Sequence, residues 1–205
     1  MTQQDKEFYG ELAPLLSQKE ALILGEVRAI LDGISTDSET ALAEHLKSRI
    51  KSSSSMCEKL LKKGLEPSAE EGLKYLSDII GLRVVVHFVG DVYTILHQIK
   101  QSDQWTVVNV KDYIENAKPN GYRSLHIILS VPFAYGELNE IRAEIQLRTI
   151  AMDCWASLEH QLKYKKNIGN TDLIVSELKR CADEMASTDL SMQTIRDLIK
   201  HQSQE

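Results

Sequence analysis

The chain has 205 residues, of which 42% are apolar, and a formal net charge of −6 with a pI of about 5.6. This length and composition predict one domain with a substantial core and helical extensions. The acidic balance excludes a general nucleic-acid coat protein, although a local basic patch is compatible with phosphate binding. The three cysteines (Cys57, Cys154 and Cys181) are odd in number and lack metal-ligand spacing, which predicts reduced thiols in a cytoplasmic protein.

The amino-terminal region predicts helices and no membrane partner. Apolar residues recur at helical spacing over 8–31, and Asp32 and Gly33 would end that helix. A second helix is expected from Glu39 to about Ile50, capped by Thr36 or Ser38. There is no signal-peptide core, and no apolar run approaches the roughly 20 residues that span a bilayer.

The next segment, 47–63, is locally cationic in an otherwise acidic chain. Its four consecutive serines, 52–55, predict a loop, because serine side chains compete for backbone hydrogen bonds. A short helix is expected from about Ser55 to Lys63. This segment is either an anion site or an ordinary solvated helix face. Its charges are Lys47, Arg49, Lys51, Lys59, Lys62 and Lys63 against the single acid Glu58.

The middle of the chain predicts four strands and a crossing helix, followed by carboxy-terminal helices. The predicted order begins with a helix over 67–77 capped by Ser68, a strand over 82–89, a helix over 90–100 and a strand over 105–110. Two further strands follow, one after Tyr122 that ends at Pro132 and one from about Glu140. A helix from Thr149 then breaks at Gly169-Asn170, and a helix or helix pair covers 172–201. This order is typical of an α+β fold with a mixed, mostly antiparallel sheet and helical ends.

The last predicted strand has two different faces. Period-two alternation places Ile141, Ala143, Ile145 and Leu147 on one face and Arg142, Glu144, Gln146 and Arg148 on the other. The second face carries a carboxylate between cations, which suits a metal ligand beside a phosphate site. Simple salt bridging across a sheet surface is the alternative.

The segment 118–126 combines a turn with groups that suit nucleotide binding. Proline, asparagine and glycine at 119–121 are turn residues. The neighbouring Lys118 and Arg123 offer cations for phosphate, and Tyr122 offers a ring for a base. The alternative is an ordinary hairpin entry with a half-buried tyrosine. No glycine-rich Walker loop is present, so P-loop chemistry is not supported.

The cationic segment, two separated carboxylates and the tyrosine turn together suit transfer between two nucleotides, with Mg²⁺ held by the acids. Five segments resemble, in order, the motifs of the RelA/SpoT synthetase family. They are HLKSRIK (45–51), DIIGLRV (78–84), KPNGYRSLH (118–126), EIQLRT (144–149) and AMDCWASLEH (151–160). In length the chain resembles a bacterial small alarmone synthetase.

This resemblance implies a nucleotidyltransferase-like fold. The implied activity moves the β,γ-pyrophosphate of ATP to the 3′-hydroxyl of GDP or GTP, and AMP is released. Residues 1–205 would form a single synthetase domain, with an N-terminal helix to about residue 35, a catalytic core over 36–165 and a C-terminal helical extension over 166–205. The His-Asp dipeptide of the family's hydrolase domain is absent from the sequence. A homotetramer, and regulation by alarmone or single-stranded RNA but not DNA, are implied only by the resemblance.

The resemblance also implies roles for individual residues. Asp78 would be the principal Mg²⁺ ligand, and Glu144 would share the metal or draw the proton from the 3′-hydroxyl. On the ATP side, adenine would lie between Arg49 and Arg83, and the phosphates would contact Lys51, Ser55 and Lys59. On the acceptor side, Tyr122 would stack on guanine with Arg148 in support, and the surrounding groups would be Lys118, Asn120, Arg123, Ser124, His126 and Gln146.

One alternative from another class stays open at this stage. The same basic and aromatic groups would serve a catalytically silent nucleotide- or single-stranded-RNA-binding module. The presence of both Asp78 and Glu144 argues against silence, because carboxylates do not help a protein bind polyanions. A purely structural helical protein would leave the polar face of the last strand unexplained.

Overall fold

The computed structural model describes residues 1–34, 41–163 and 171–202. Within these ranges the elements, in chain order, are α1 (Gln3–Tyr9), α2 (Leu12–Ile34), β1 (Ala43–Ile50), α3 (Ser53–Lys62), α4 (Ala69–Tyr75), β2 (Ile80–Val86), α5 (Val89–Ile99), β3 (Thr106–Asp112), β4 (Leu125–Tyr135), β5 (Leu138–Thr149), α6 (Ile150–Lys163) and α7 (Thr171–Gln202). No helix in the described ranges combines the length and the apolar character needed to cross a membrane.

The strands form one five-stranded sheet in the order β1-β2-β5-β4-β3. Only the central pair, β2 and β5, is parallel, and the other three pairs are antiparallel. The predicted α+β fold with a mostly antiparallel sheet is therefore confirmed. The two-faced character of β5 is also confirmed, because its apolar residues at 141, 143, 145 and 147 are at most 1% exposed. They join a core that includes residues of α2 and α5, and the opposite face of β5 carries the polar residues at 142, 144, 146 and 148.

The predicted helix 39–50 is wrong, because residues 43–50 form the edge strand β1. The apolar residues of this segment, Leu42, Leu46 and Ile50, have a spacing of four, which fits one face of a helix and equally one face of a strand. All three pack against the core. Pairing with the apolar β2 strand decides between the two periods. The proposed caps at 36 and 38 lie outside the described residues.

The serine run is not a loop, because α3 begins inside it at Ser53. The Ser52 side chain accepts a hydrogen bond from the backbone N–H of Ser55 and so caps the helix. The local side-chain bonding that disfavours serine within a helix is the same property that favours it as an N-cap. The loop prediction was correct that a serine side chain bonds to the backbone here, but that bond caps a helix and does not form a loop.

Several other element boundaries differ from those predicted. The amino-terminal helix is two helices, divided at Gly10 with a φ of 51°, and α2 continues through Gly33. Ser68 does cap α4, as predicted. Strand β4 runs past Pro132 to Tyr135. Since β3 begins opposite Ser130, Pro132 lies beyond the end of that neighbour, where a missing N–H is tolerated.

The apolar residues of α6, the helix expected from Thr149, are only partly buried. Met152 and Trp155 are in the core, whereas Leu158 and Leu162 are about half exposed. The predicted break at 169–170 lies outside the described residues.

Candidate active site

The polar face of the sheet aligns side chains from four strands. Cross-strand partners share a face, so the register places Lys47 beside Arg83, Arg83 beside Gln146, and Gln146 beside His126. One step along, Arg49 pairs with Gly81, and Gly81 pairs with Glu144. The glycine has no side chain between the arginine and the glutamate, and this leaves space at the centre of the row.

A pocket of about 300 Å³ opens on this face. It contains both predicted carboxylates, Asp78 just before β2 and Glu144 in the middle of β5. These acids are 66 positions apart in sequence and are brought together because β2 and β5 are parallel neighbours. The complete lining is Lys47, Ser48, Arg49, Asp78, Gly81, Leu82, Arg83, Glu144 and Gln146.

Asp78 is held by two lysines through one of its oxygens. The Nζ atoms of Lys51 and Lys59 each lie 2.9 Å from its Oδ2. Burial raises the pKa of this carboxyl, but the hydrogen bonds and charges of the two lysines outweigh it, so the pKa lies below its ordinary value. Asp78 is therefore ionised at neutral pH. Its other oxygen, Oδ1, is buried and has no hydrogen-bond partner within the described part of the chain.

Glu144 has uncharged or weakly basic partners instead of lysines. Its Oε1 lies 3.1 Å from His126 Nδ1, and its Oε2 accepts a hydrogen bond of 2.7 Å from Gln146 Nε2. Burial, and to a smaller extent the charge of Asp78, raise the pKa of Glu144, but the bonds from His126 and Gln146 leave it below the ordinary value. Both acids of the pocket are thus ionised, but Asp78 is bonded by two lysines and Glu144 by a histidine and an amide.

A chain of hydrogen bonds extends from Glu144 to Arg148. The Tyr122 hydroxyl lies 2.8 Å from His126 Nε2 and accepts a bond of 2.7 Å from Arg148. Arginine can only donate and an ionised glutamate can only accept. The network is fully satisfied when the hydroxyl donates to Nε2 and the neutral imidazole carries its proton on Nδ1. Arg148 also donates to Asp153, which forms an ion pair with Arg83.

The Tyr122 turn adopts the tight geometry that its residues predict. Gly121 has a φ of +90°, and its N–H donates to the Lys118 carbonyl at 2.8 Å. The Lys118 ammonium lies 4.5 Å from the ring centre of Tyr113 and 4.7 Å from that of Tyr122. The turn therefore presents a cation together with two aromatic rings.

Other candidate residues on the acceptor side and on α3 have protein partners. Arg123 forms an ion pair with Asp183 on α7, and the fully buried Ser124 donates to the Leu147 carbonyl. The Asn120 side-chain amide donates to Glu159 on α6. Ser55 is exposed, and its hydroxyl bonds to that of Ser52. The structure does not bring these four side chains into the carboxylate pocket.

Sequence reasoning assigned no individual site role to three residues at or near the site. Lys47 lines the pocket, and its alternation with Arg49 and Lys51 would have signalled a strand face. Tyr113 follows the predicted strand 105–110 as an aromatic residue, and its ring contacts those of Tyr122 and His126. Asp153, in the first turn of α6, had no signal in the sequence, because its link to Arg83 depends on the packing of α6 against the sheet.

The described residues contain no group of three or more histidines, cysteines or acids that would hold a metal ion on its own. The pair Asp78 and Glu144 nevertheless suits Mg²⁺, which commonly binds one or two carboxylates together with substrate phosphates. The partnerless Oδ1 of Asp78 is the observation in favour of this fit, since a buried carboxylate oxygen without a donor is unusual.

Comparisons with known proteins agree with this geometry. Residues 48–169 match the family model described as "Region found in RelA / SpoT proteins". The GTP pyrophosphokinase YwaC of Bacillus subtilis is 45% identical over 141 residues, which cover 68% of this chain and 67% of the relative. The GTP pyrophosphokinase YjbM of the same organism is 31% identical over 202 residues, covering 96% and 92%.

Solved structures give the same assignment. Small alarmone synthetase 1 of Bacillus subtilis bound to its product pppGpp superposes with a TM-score of 0.81 at 28% identity, covering 96% of this chain and all of that one. Small alarmone synthetase 2 of the same organism has a TM-score of 0.75 at 38% identity, covering 89% and 97%. The fold and the site are those of a nucleotide pyrophosphate transferase. The chain belongs to the RelA/SpoT family.

Proposed function

We propose that this protein transfers the β,γ-pyrophosphate of ATP to the 3′-hydroxyl of GDP or GTP, forming ppGpp or pppGpp and releasing AMP. The observation that carries the proposal is the pair of ionised carboxylates, Asp78 and Glu144, in one cation-lined pocket of a RelA/SpoT chain. Two relatives of this chain are named GTP pyrophosphokinases, and one similar structure is bound to pppGpp.

The ATP side of the site is formed by β1, α3 and β2. Arg49 and Arg83 line the pocket, and a guanidinium plane stacks well on a base, which supports their assignment to adenine. The ammonium groups of Lys51 and Lys59 converge on Asp78 and would neutralise the triphosphate there. Ser55, exposed at the start of α3, would contribute at most a peripheral phosphate contact.

The acceptor side is formed by the Tyr122 turn and the polar face of β5. Tyr122 would stack on guanine, and Lys118 would contact its phosphates. His126 and Gln146 would act through the hydrogen bonds that hold Glu144. The remaining candidates would shape the turn from behind, because their side chains already bond to the protein. They are Asn120, Arg123, Ser124 and Arg148.

Mg²⁺ would be held by Asp78 and Glu144, and when bound it would neutralise phosphate charge and orient the triphosphate. In the reaction a bond forms between the 3′-oxygen and the β-phosphorus, and the bond from that phosphorus to the α,β-bridging oxygen breaks. The bridging oxygen keeps the electrons of the broken bond and leaves as part of the phosphate group of AMP. Glu144 would accept the 3′-hydroxyl proton, and Lys51 and Lys59 would offset negative charge on the phosphates. A protein nucleophile is not required.

The proposal also covers the domain bounds, the assembly and the regulation of the protein. We assign the catalytic core to residues 36–165 of a single synthetase domain, with helical extensions at both ends, in a cytoplasmic homotetramer. Exposed apolar side chains along α7 support self-association, since large apolar patches rarely stay in water. They include Leu173, Leu190, Met192, Ile195, Leu198 and Ile199, each at least 49% exposed. Binding of the product or of single-stranded RNA would regulate such an assembly.

The test is to incubate the protein with ATP, GDP and Mg²⁺ and to separate the nucleotides. Equal molar amounts of AMP and a guanosine tetraphosphate are expected, and EDTA should abolish both. A silent nucleotide- or RNA-binding module would instead bind ATP and GDP without releasing AMP. That result, in a protein with a normal thermal melt, would overturn the proposal.

A further inference from the structure

The amino-terminal helix α1 contacts the start of the cationic segment, although sequence reasoning gave it no role in the site. Tyr9, which is only 2% exposed, donates its hydroxyl to the backbone carbonyl of Lys51 at 2.6 Å. The bond joins residues 42 positions apart. It fixes the chain at the residue whose side chain reaches Asp78.

Asp5 on the same helix holds the first turn of α3. Its Oδ1 accepts hydrogen bonds from the backbone N–H of Ser53 at 2.8 Å and from the Ser53 hydroxyl at 2.9 Å. Its Oδ2 accepts from the backbone and hydroxyl of Thr2 at 3.0 and 2.7 Å. These bonds hold the pKa of Asp5 well below its usual range, so it is a fixed anion. All four donors bond one carboxylate, which defines its position closely.

The Lys51 backbone is bonded from two sides. Its carbonyl accepts from Tyr9, and its N–H donates to the carbonyl of Ile79 at 2.8 Å. Ile79 directly follows Asp78, so the second bond ties Lys51 to the chain beside that acid. Because Lys59 projects from α3, its ammonium position depends on how the first turn of that helix is seated. The distance of each lysine from Asp78 thus depends on α1.

Two backbone N–H groups at the start of α3 are already bonded within the protein, which limits a common way of binding phosphate. A free helix N-terminus attracts anions through its backbone N–H groups. Here the N–H of Ser53 bonds to Asp5, and that of Ser55 bonds to the Ser52 side chain. Phosphate recognition beside α3 therefore depends on the lysine side chains. The positions of the lysine ammonium groups therefore determine how well phosphate is bound.

We infer that Asp5 and Tyr9 are positioning residues for the ATP phosphate subsite, acting through the backbone of residues 51–53. The inference rests on the proposed function, because it assumes that Lys51 and Lys59 bind ATP. A purely structural role for α1 predicts a different outcome, in which loss of these bonds lowers stability and affects both nucleotides alike.

The experiment compares Tyr9→Phe and Asp5→Asn with the wild-type full chain. Tyr9→Phe removes one hydrogen bond and keeps the buried ring, so it should fold. Its KM for ATP should rise roughly 3- to 10-fold, the range expected for one net hydrogen bond, while KM for GDP stays within about twofold. Binding of a non-hydrolysable ATP analogue, measured by calorimetry, should weaken by the same factor. Asp5→Asn should act in the same direction, since an amide nitrogen cannot accept the bonds made to a carboxylate oxygen.

The matched control is Glu26→Ala on α2, which removes a hydrogen-bond acceptor far from the site. Glu26 accepts a hydrogen bond of 2.8 Å from Ser102, a contact between the amino-terminal helices and the body that does not involve the cationic segment. This variant should lose stability to a similar extent with both KM values unchanged. Equal rises in KM for ATP and GDP in Tyr9→Phe, or no rise in either, would overturn the inference. Failure of the proposed function can be distinguished from failure of this inference. In the first case wild-type protein would release no AMP, whereas the titration with the ATP analogue would still report the effect of α1 on binding.

Discussion

Removing the Tyr122 hydroxyl tests the hydrogen-bond network behind Glu144. In Tyr122→Phe the ring stays available for guanine, but its link to His126 and Arg148 is lost. His126 then loses the group that sets its Nδ1–H tautomer toward Glu144. We expect GDP affinity to change by less than about threefold, because the stacking ring carries most of that affinity. We expect kcat to fall roughly 10-fold or more, because Glu144, the proposed proton acceptor, is less precisely held.

The structure also bounds the cost in stability. A hydrogen bond to a charged group contributes about 1.5–3 kcal/mol, but Arg148 keeps bonds to Asp153 and Gln146 when the hydroxyl is removed. A net loss of about 1–2 kcal/mol is therefore expected. For a chain of this size it lowers Tm by roughly 2–8 °C.

Three measurements separate the possible results for Tyr122. Thermal melts report stability, calorimetry with GDP reports binding, and AMP release reports turnover. Tyr122→Ala is the control for the ring, and it should weaken GDP binding by about 1–3 kcal/mol. If Tyr122→Phe turned over at the wild-type rate, the network would have no part in the reaction. If it lost GDP as severely as Tyr122→Ala, the hydroxyl and not the ring would bind the nucleotide.

Three further predictions concern the pocket. Arg49→Lys keeps the charge but loses the stacking plane, so KM for ATP should rise while KM for GDP stays nearly constant; equal changes would assign Arg49 to the fold. Asp78→Asn and Glu144→Gln should bind nucleotides in EDTA but transfer pyrophosphate at least about 100-fold more slowly; wild-type AMP release would refute the assignment of both acids. Because the pKa of Glu144 is lowered on folding, its ionisation contributes stability that is present above its ordinary pKa of 4.5 and is lost as pH falls through the folded value. The Tm difference between wild type and Glu144→Gln should therefore shrink as pH falls from about 5.5 to 3, and a constant difference would contradict the shift.

Period-two alternation was sufficient to predict the architecture where one face of a strand is apolar and the other polar. Strand β5 is the clearest case, since residues 141–148 alternate between apolar and polar without exception, and burial follows that alternation up to Leu147, after which Arg148 is buried as well. Strand β1 could not be predicted in the same way. Its apolar residues are four apart, which both periods allow, and only pairing with β2 decides between them.

The candidate site, like the fold, could be predicted only in part from the sequence. The two carboxylates were identified from residue type and motif order, and the parallel pairing of β2 and β5 puts them in one pocket. The full set of partners of each acid could not be predicted, because Lys59 on α3 and His126 on β4 reach the acids from separate elements. Tyr122 shows the consequence most clearly. Its ring is evident from the sequence, whereas the role of its hydroxyl exists only in the folded network.

The different surroundings of the two acids support a division of labour between them. Asp78 shares one oxygen with two ammonium groups, and its other oxygen is buried without a donor among the residues that the structure describes. Such a carboxylate is strongly ionised and suited to cations, but it is a poor proton acceptor. Glu144 is bonded through both oxygens by His126 and Gln146, which hold the group in place without an adjacent lysine. Where environments differ in this way, the acid and base roles usually differ too. The geometry therefore favours Asp78 as the principal metal ligand and Glu144 as the group that takes the proton from the acceptor hydroxyl.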